Sequence, residues 1–249
     1  MAATTETEAA DTADVDVVRS DDDDETQMIS VEQFDSSAAC VLIRNLLPLS
    51  DQKELFEYIQ ENDKTPTRDN NNPPRPRPMV PSPQTLLLGE DGNTPTIKYG
   101  FGDVSIVTRM VEKACNVLKT KTLNFGFDDV LCQQQQYKSL SMATIRYEAP
   151  GGHFPPHVDH CDDSFVFLIS LGCTANFMVK APDMATEKTF KFRSGDMLVF
   201  DASSKASILH SVVSIDDEAT STTRAGELLG REFPILQNHR YGVQCRMNF

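Results

Sequence analysis

The sequence predicts an α+β fold, one large domain behind an acidic arm, and three patterns predict it. From Ser139 onward the chain divides into eight short runs of strand composition separated by turn signals. Ahead of these, apolar residues recur at helical spacing in two stretches. Ahead of those, residues 1–35 are acidic, small and polar. Many short strands after helices suggest a jelly roll (double-stranded β-helix) with flanking N-terminal helices packed outside it.

The arm is defined by charge. Residues 1–35 carry twelve acids against one base, Arg19, whereas the remaining 214 residues hold 25 acids and 22 bases. Most of the net charge of −14 therefore belongs to the arm. Such a composition buries too little apolar surface to order itself, so 1–35 reads as a disordered acidic arm suited to a basic partner, and 36–249 as the domain. The nearly balanced domain does not exclude nucleic acid, but it is not a basic domain either. Six cysteines (40, 115, 132, 161, 173 and 245) show no C-x-x-C spacing. They predict neither a structural zinc site nor a disulfide framework, and they fit a reducing compartment. Met1 to Ala10 lacks the basic and apolar regions of a signal peptide. No apolar run approaches the roughly 18 residues of a membrane span. The expectation is a cytoplasmic or nuclear protein with no membrane partner.

Order is expected near Ala38, with a strand over 39–43. Leu46 to Leu49 then leads to Ser50 as N-cap, with Asp51 in the first turn. Leu55, Phe56 and Ile59 form the apolar stripe of a helix reaching about Glu61. Residues 63–84 contain seven prolines and no helical period, which predicts an extended loop. Arg68, Arg75 and Arg77 cluster there, so the loop reads as a substrate lid or as a plain linker. Short strands follow at 85–88 and 96–99. Val104, Val107, Met110, Val111, Ala114, Val117 and Leu118 make 103–120 the longest predicted helix. The eight later strands fall at 140–147, 153–159, 164–171, 174–180, 187–193, 196–200, 208–214 and 240–248. Phe165 to Leu171 is apolar on both faces, as a central strand must be. Residues 215–237 are polar and read as a long loop, with a turn of helix at 225–229.

All five histidines lie after residue 150, and the candidate chemistry lies with them. His157-Val158-Asp159 places an imidazole and a carboxylate two residues apart, on one face of a strand. His210 is the candidate third ligand. Two His and one carboxylate with open positions form the facial triad of non-haem Fe(II) oxygenases, although two satisfied core histidines are the plainer alternative. His153 and His157 have the i, i+4 spacing of a zinc helix, but Pro155 and Pro156 between them rule that helix out. His153 and His160 therefore read as supporting or surface residues.

The last strand adds a second signal. Arg240 and Arg246 share one face of it, while Tyr241, Val243, Cys245 and Met247 occupy the other. Inward-facing guanidiniums need anionic partners. A dicarboxylate gripped by the guanidinium fork would serve one of them. Pairing with internal acids is the alternative, more natural for Arg246 than for Arg240.

The ordered motifs I-R-Y-E-A-P-G, H-V-D, S-L-G, S-G-D-M-L-V-F, L-H-S-V and R-Y-G-V-Q-C-R resemble the AlkB family of Fe(II)- and 2-oxoglutarate-dependent dioxygenases. The resemblance covers residues 139–249 well and 38–138 in layout only. It implies that His157, Asp159 and His210 hold Fe(II). It implies that Tyr147 and Arg240 bind the distal carboxylate of 2-oxoglutarate, and that Arg246 lies near the metal, pairing with the ligating carboxylate or supporting the cosubstrate. It further implies O2-dependent oxidation of 2-oxoglutarate to succinate and CO2. By the same resemblance, the paired hydroxylation would remove an N-methyl group as formaldehyde from methylated DNA, RNA or protein. A protein hydroxylase and an inactive jelly-roll interaction protein are the alternatives. Many relatives carry Asn two residues before the Tyr and two after the first Arg, where this chain has Ile145 and Gly242.

Overall fold

The computed structural model describes residues 17–19, 28–34, 39–62, 84–88, 96–97, 105–121, 139–161, 163–216 and 223–249. In chain order the strands and helices are β1 (Val17–Arg19), β2 (Met28–Gln33), β3 (Cys40–Arg44), α1 (Leu49–Asn62), β4 (Gln84–Leu88), β5 (Thr96–Ile97) and α2 (Ser105–Lys119). They continue with β6 (Ser139–Glu148), β7 (Phe154–Val158), β8 (Ser164–Gly172), β9 (Ala175–Lys180), β10 (Lys188–Phe192), β11 (Met197–Asp201) and β12 (Leu209–Ile215). The last elements are α3 (Arg224–Glu232), a 3-10 turn (Pro234–Gln237) and β13 (His239–Asn248).

Two sheets result. The wide one runs β1-β2-β3-β11-β8-β13-β6-β4-β5, and the narrow one β10-β9-β12-β7. Every pairing is antiparallel except β4 with β6. The arrangement is α+β and consistent with a double-stranded β-helix. β8 is buried at every position and is flanked by β11 and β13, as its unbroken apolar run requires.

Strand alternation divides the apolar side chains between two cores. Val41, Ile43, Phe167, Ile169, Val243 and Cys245 face the helix side, where Leu55, Phe56, Val107, Val111 and Leu118 join them. The Phe56 ring sits edge-on to Tyr241 of β13, with 5.1 Å between centroids. Cys40, Leu42, Val166 and Leu168 face the other way, against Phe177 and Phe192 of the narrow sheet. Each fully buried Leu, Ile or Phe contributes about 1.5–3 kcal/mol. Both cores thus hold β8 in place, and the helix-side core holds β13, which carries the two arginines of interest. Gly172 ends β8 with φ +84, and a Cβ there would lie 2.4 Å from the His239 carbonyl oxygen, so only glycine lets β13 begin alongside.

Three expectations are corrected. The ordered sheet begins before residue 36: Met28–Gln33 pairs with β3, and Ile29 and Phe34 are buried. Glu32, counted with the acidic arm, accepts a hydrogen bond from Arg44 Nε at 2.9 Å, so its charge does not oppose order. The first helix starts at Leu49, not after Ser50, because the Pro48 carbonyl already accepts from the Gln52 N–H. Part of the expected loop at 215–237 is helix. Thr223 caps α3 through its hydroxyl, which accepts from the Gly226 N–H, and Ala225 and Leu229, four residues apart, are buried. The proline-rich 63–83 stretch lies outside the described residues. Among the described residues, no helix is long and apolar enough to cross a membrane.

Candidate active site

The narrow sheet brings the two histidines together. His157 on β7 is the register partner of His210 on β12, so the two imidazoles stand side by side with ring centroids 4.2 Å apart. Asp159 follows β7 directly, and its Oδ1 lies 3.9 Å from His157 Nε2. One ligand atom from each of His157, Asp159 and His210 can be chosen so that all lie within 4.8 Å of one another. Both rings are oriented by backbone carbonyls. His157 Nδ1 lies 3.0 Å from the Pro155 oxygen, and His210 Nδ1 lies 3.1 Å from that of Ile208. A carbonyl only accepts, so Nδ1 is the donor in each ring and Nε2 is the nitrogen left to face a metal. Burial, then the neighbouring His157, pushes the His210 pKa down to about 4, which keeps that ring neutral near pH 7.

Behind the histidines lies a cavity with about 420 Å³ of empty space, part of it open to solvent. Its walls include Phe154, Leu168, Phe177, Phe200 and Val212. Arg240 and Tyr147, register partners on β13 and β6, provide most of the polarity away from the histidines. Arg240 is completely buried, and among the described residues its Nε and Nη2 have no hydrogen-bond partner. Its guanidinium lies 5.3 Å from the Tyr147 ring centroid and 5.2 Å from that of Phe192. Burial pushes its pKa down, against the opposing influence of Tyr147 and Cys173. Burial also pushes the Tyr147 hydroxyl up to about 12, so it stays protonated as a donor. Two buried guanidinium nitrogens without partners among the described residues fit a ligand carboxylate. At Gly242, a Cβ would lie 3.0 Å from Arg240 Nη1, so the missing side chain leaves the guanidinium its room.

The sequence profile of the 2OG-Fe(II) oxygenase superfamily matches residues 39–249. The chain belongs to the 2OG-Fe(II) oxygenase superfamily. Its cosubstrates are accordingly 2-oxoglutarate and O2, and its metal is Fe(II). The donor set of two imidazoles and one carboxylate suits that ion, and the unpartnered Arg240 suits that dicarboxylate. The chain is similar in fold to OsALKBH1, with 15% identity, 87% of this chain and 99% of that one covered, and a TM-score of 0.50. It also aligns with a Pseudomonas putida prolyl-4-hydroxylase, with 10% identity, 85% of each chain covered and a TM-score of 0.42. No curated protein matches the sequence.

The remaining residues singled out by sequence sort clearly in this oxygenase. Arg246 lies at the His-Asp-His end of the site, its Nη2 donating to Asp159 Oδ2 at 2.8 Å. His153 donates from Nδ1 to the Gly151 carbonyl, His160 is exposed, and neither joins the ligand cluster. Ile145 lines the cavity and is the register partner of Gly242. Sequence reading missed Gln244, which lines the cavity and donates to Asp159 Oδ2 at 3.4 Å. The available signal was its position between Arg240 and Arg246 on their shared face.

Proposed function

We propose that this oxygenase is an oxidative demethylase of the AlkB type, acting on N-methyl groups of nucleic acid or protein. The observation that carries the reading is the pairing of a His-Asp-His cluster with a buried, unsatisfied Arg240 at the other polar end of one apolar pocket. In it, His157, Asp159 and His210 hold Fe(II), and Arg240 with Tyr147 grips the distal carboxylate of 2-oxoglutarate. Bound Fe(II) supplies the coupled oxidation of 2-oxoglutarate, to succinate and CO2, and of the methyl carbon, which leaves as formaldehyde. The protein's part is positioning. Three protein donors leave coordination positions open. Arg240 and Tyr147 fix the far end of the cosubstrate, which sets how deep its keto-acid end can reach. The phenylalanine and leucine walls keep water from competing for those contacts.

The test is formaldehyde release. The full-length protein, Fe(II) and 2-oxoglutarate are incubated with N-methylated oligonucleotides and, separately, N-methylated peptides. Formaldehyde equal in amount to succinate is the expected result. Succinate without formaldehyde on every methylated substrate would refute demethylation. The balanced charge of the domain favours one second reading, a protein hydroxylase, since phosphate contacts supply much of the affinity for nucleic acid. A peptide gaining one oxygen atom while releasing no formaldehyde would select it.

A further inference from the structure

The two oxygens of Asp159 are treated differently. Oδ1 faces His157 Nε2, whereas Oδ2 receives Arg246 Nη2 at 2.8 Å and Gln244 Nε2 at 3.4 Å. An ionised carboxylate only accepts, so it is the amide nitrogen of Gln244 that turns toward it. A carboxylate oxygen offers about two lone-pair sites, and two donors occupy them. Gln244 and Arg246 are two residues apart on one face of β13, about 7 Å along the strand, so their donors reach Oδ2 from different directions. Register makes this possible. Gln244 lies between Ala143 on β6 and Leu168 on β8, one partner small and the other apolar.

We propose that Gln244 is a positioning residue which, together with Arg246, keeps Asp159 a one-oxygen ligand. The proposal rests on the superfamily reading of the triad. With Arg246 alone, the carboxylate can pivot about a single hydrogen bond and present both oxygens to the metal. Two-oxygen binding would occupy a position that a facial triad leaves open for cosubstrate or O2. The Gln244 contact is the longer and weaker of the two. Its effect is on direction: it fixes which oxygen is free.

Co(II) is the probe, added to the full-length protein without turnover, with its visible spectrum and affinity recorded for wild type, Gln244→Met and Gln244→Leu. Both substitutions fill similar space and lack a donor. The expected result is an altered band shape and intensity, reporting changed coordination, with affinity lowered by about tenfold or more, as loss of an outer hydrogen bond to a ligand typically gives. Addition of 2-oxoglutarate should perturb the variant spectra only at higher concentration. The metal-free melting temperature should stay at the wild-type value. Wild-type spectra and affinity in both variants would overturn the positioning role, as would a fall in melting temperature with an unchanged spectrum. If wild type fails to bind Co(II), or His210→Ala binds it as tightly, the metal-site reading itself falls.

Discussion

Arg240 and Arg246 are the same residue type, on the same face of one strand, six positions apart, and only one of them has a carboxylate for a partner. Arg246 donates to Asp159 at 2.8 Å through Nη2 and keeps some exposure, although its Nη1 has no partner among the described residues. Arg240 is completely buried, with two nitrogens lacking partners among the described residues. A buried ion pair and a buried lone cation both carry a desolvation cost, but only the pair recovers it internally. On the proposed reading, the difference teaches that a carboxylate partner within the fold, or its lack, separates a scaffold-holding arginine from a ligand-holding one. Residue type and spacing do not.

The comparison breaks most completely if Arg246 loses its acid. Asp159→Ala takes the carboxylate partner from Arg246 and removes a proposed metal ligand. Succinate formation should fall to background, with circular dichroism unchanged; normal turnover would refute the iron assignment. The next largest effect is expected from Arg240→Ala. Losing one partner of a buried charge pair costs roughly 2–5 kcal/mol, or tens to thousands of fold in 2-oxoglutarate affinity. Metal affinity should barely move. Ligand-free stability should fall little, because the lost packing is offset by relief of an unpaired cation. Anaerobic titration measures the two affinities separately, and unchanged 2-oxoglutarate binding would rule out the role.

Arg246→Ala should give the reverse pattern. It leaves Asp159 uncompensated, so the metal-free melting temperature and the metal affinity fall together. The stability loss should lie toward the low end of about 3–5 kcal/mol, since the pair keeps 19% and 13% side-chain exposure. A variant that loses cosubstrate affinity alone would erase the contrast between the two arginines. The smallest effect concerns pH. His210 stays neutral to about pH 4 when folded and protonates near 6.5 when unfolded. Between those values the unfolded chain binds more protons, so metal-free stability rises from pH 4 to 6.5 and this contribution levels off above. Replacing His210 by Gln should flatten the melting temperature over that window relative to wild type. An unchanged slope would show that burial of His210 is not its source.

The parts legible in the sequence are those whose chemistry needs unusual residues at fixed spacing. His157 and Asp159, two apart, and Arg240 and Arg246, six apart, are in that class, as is the helical stripe of α2. Gln244 was not legible, because an amide has many uses and only the register with Ala143 and Leu168 aims it. α3 was hidden by its own cap, since Thr220 to Thr223 looks like loop and Gly226 and Gly230 weaken the helical pattern. β2 was hidden by averaging. The acidity of residues 1–35 outweighed the apolar residues of Met28–Gln33, and only a partner such as Arg44 shows that Glu32 is neutralised. The parallel pairing of β4 with β6 lies beyond any periodicity argument, since strand period is blind to direction.

The place of β13 has a consequence for how the protein is made. It pairs with β6 on one side and β8 on the other, yet it occupies residues 239–248, long after both. β3, at 40–44, likewise waits for β11 at 197–201. Assembly from such distant pairings is slow, and the waiting strand edges invite intermolecular pairing. The narrow sheet does not include β13, so the two imidazoles can meet before it arrives. Both arginines and Gln244 arrive only with that strand. The arrival of one strand therefore brings Arg240, Gln244 and Arg246 to the site together, and whatever delays its insertion delays all three.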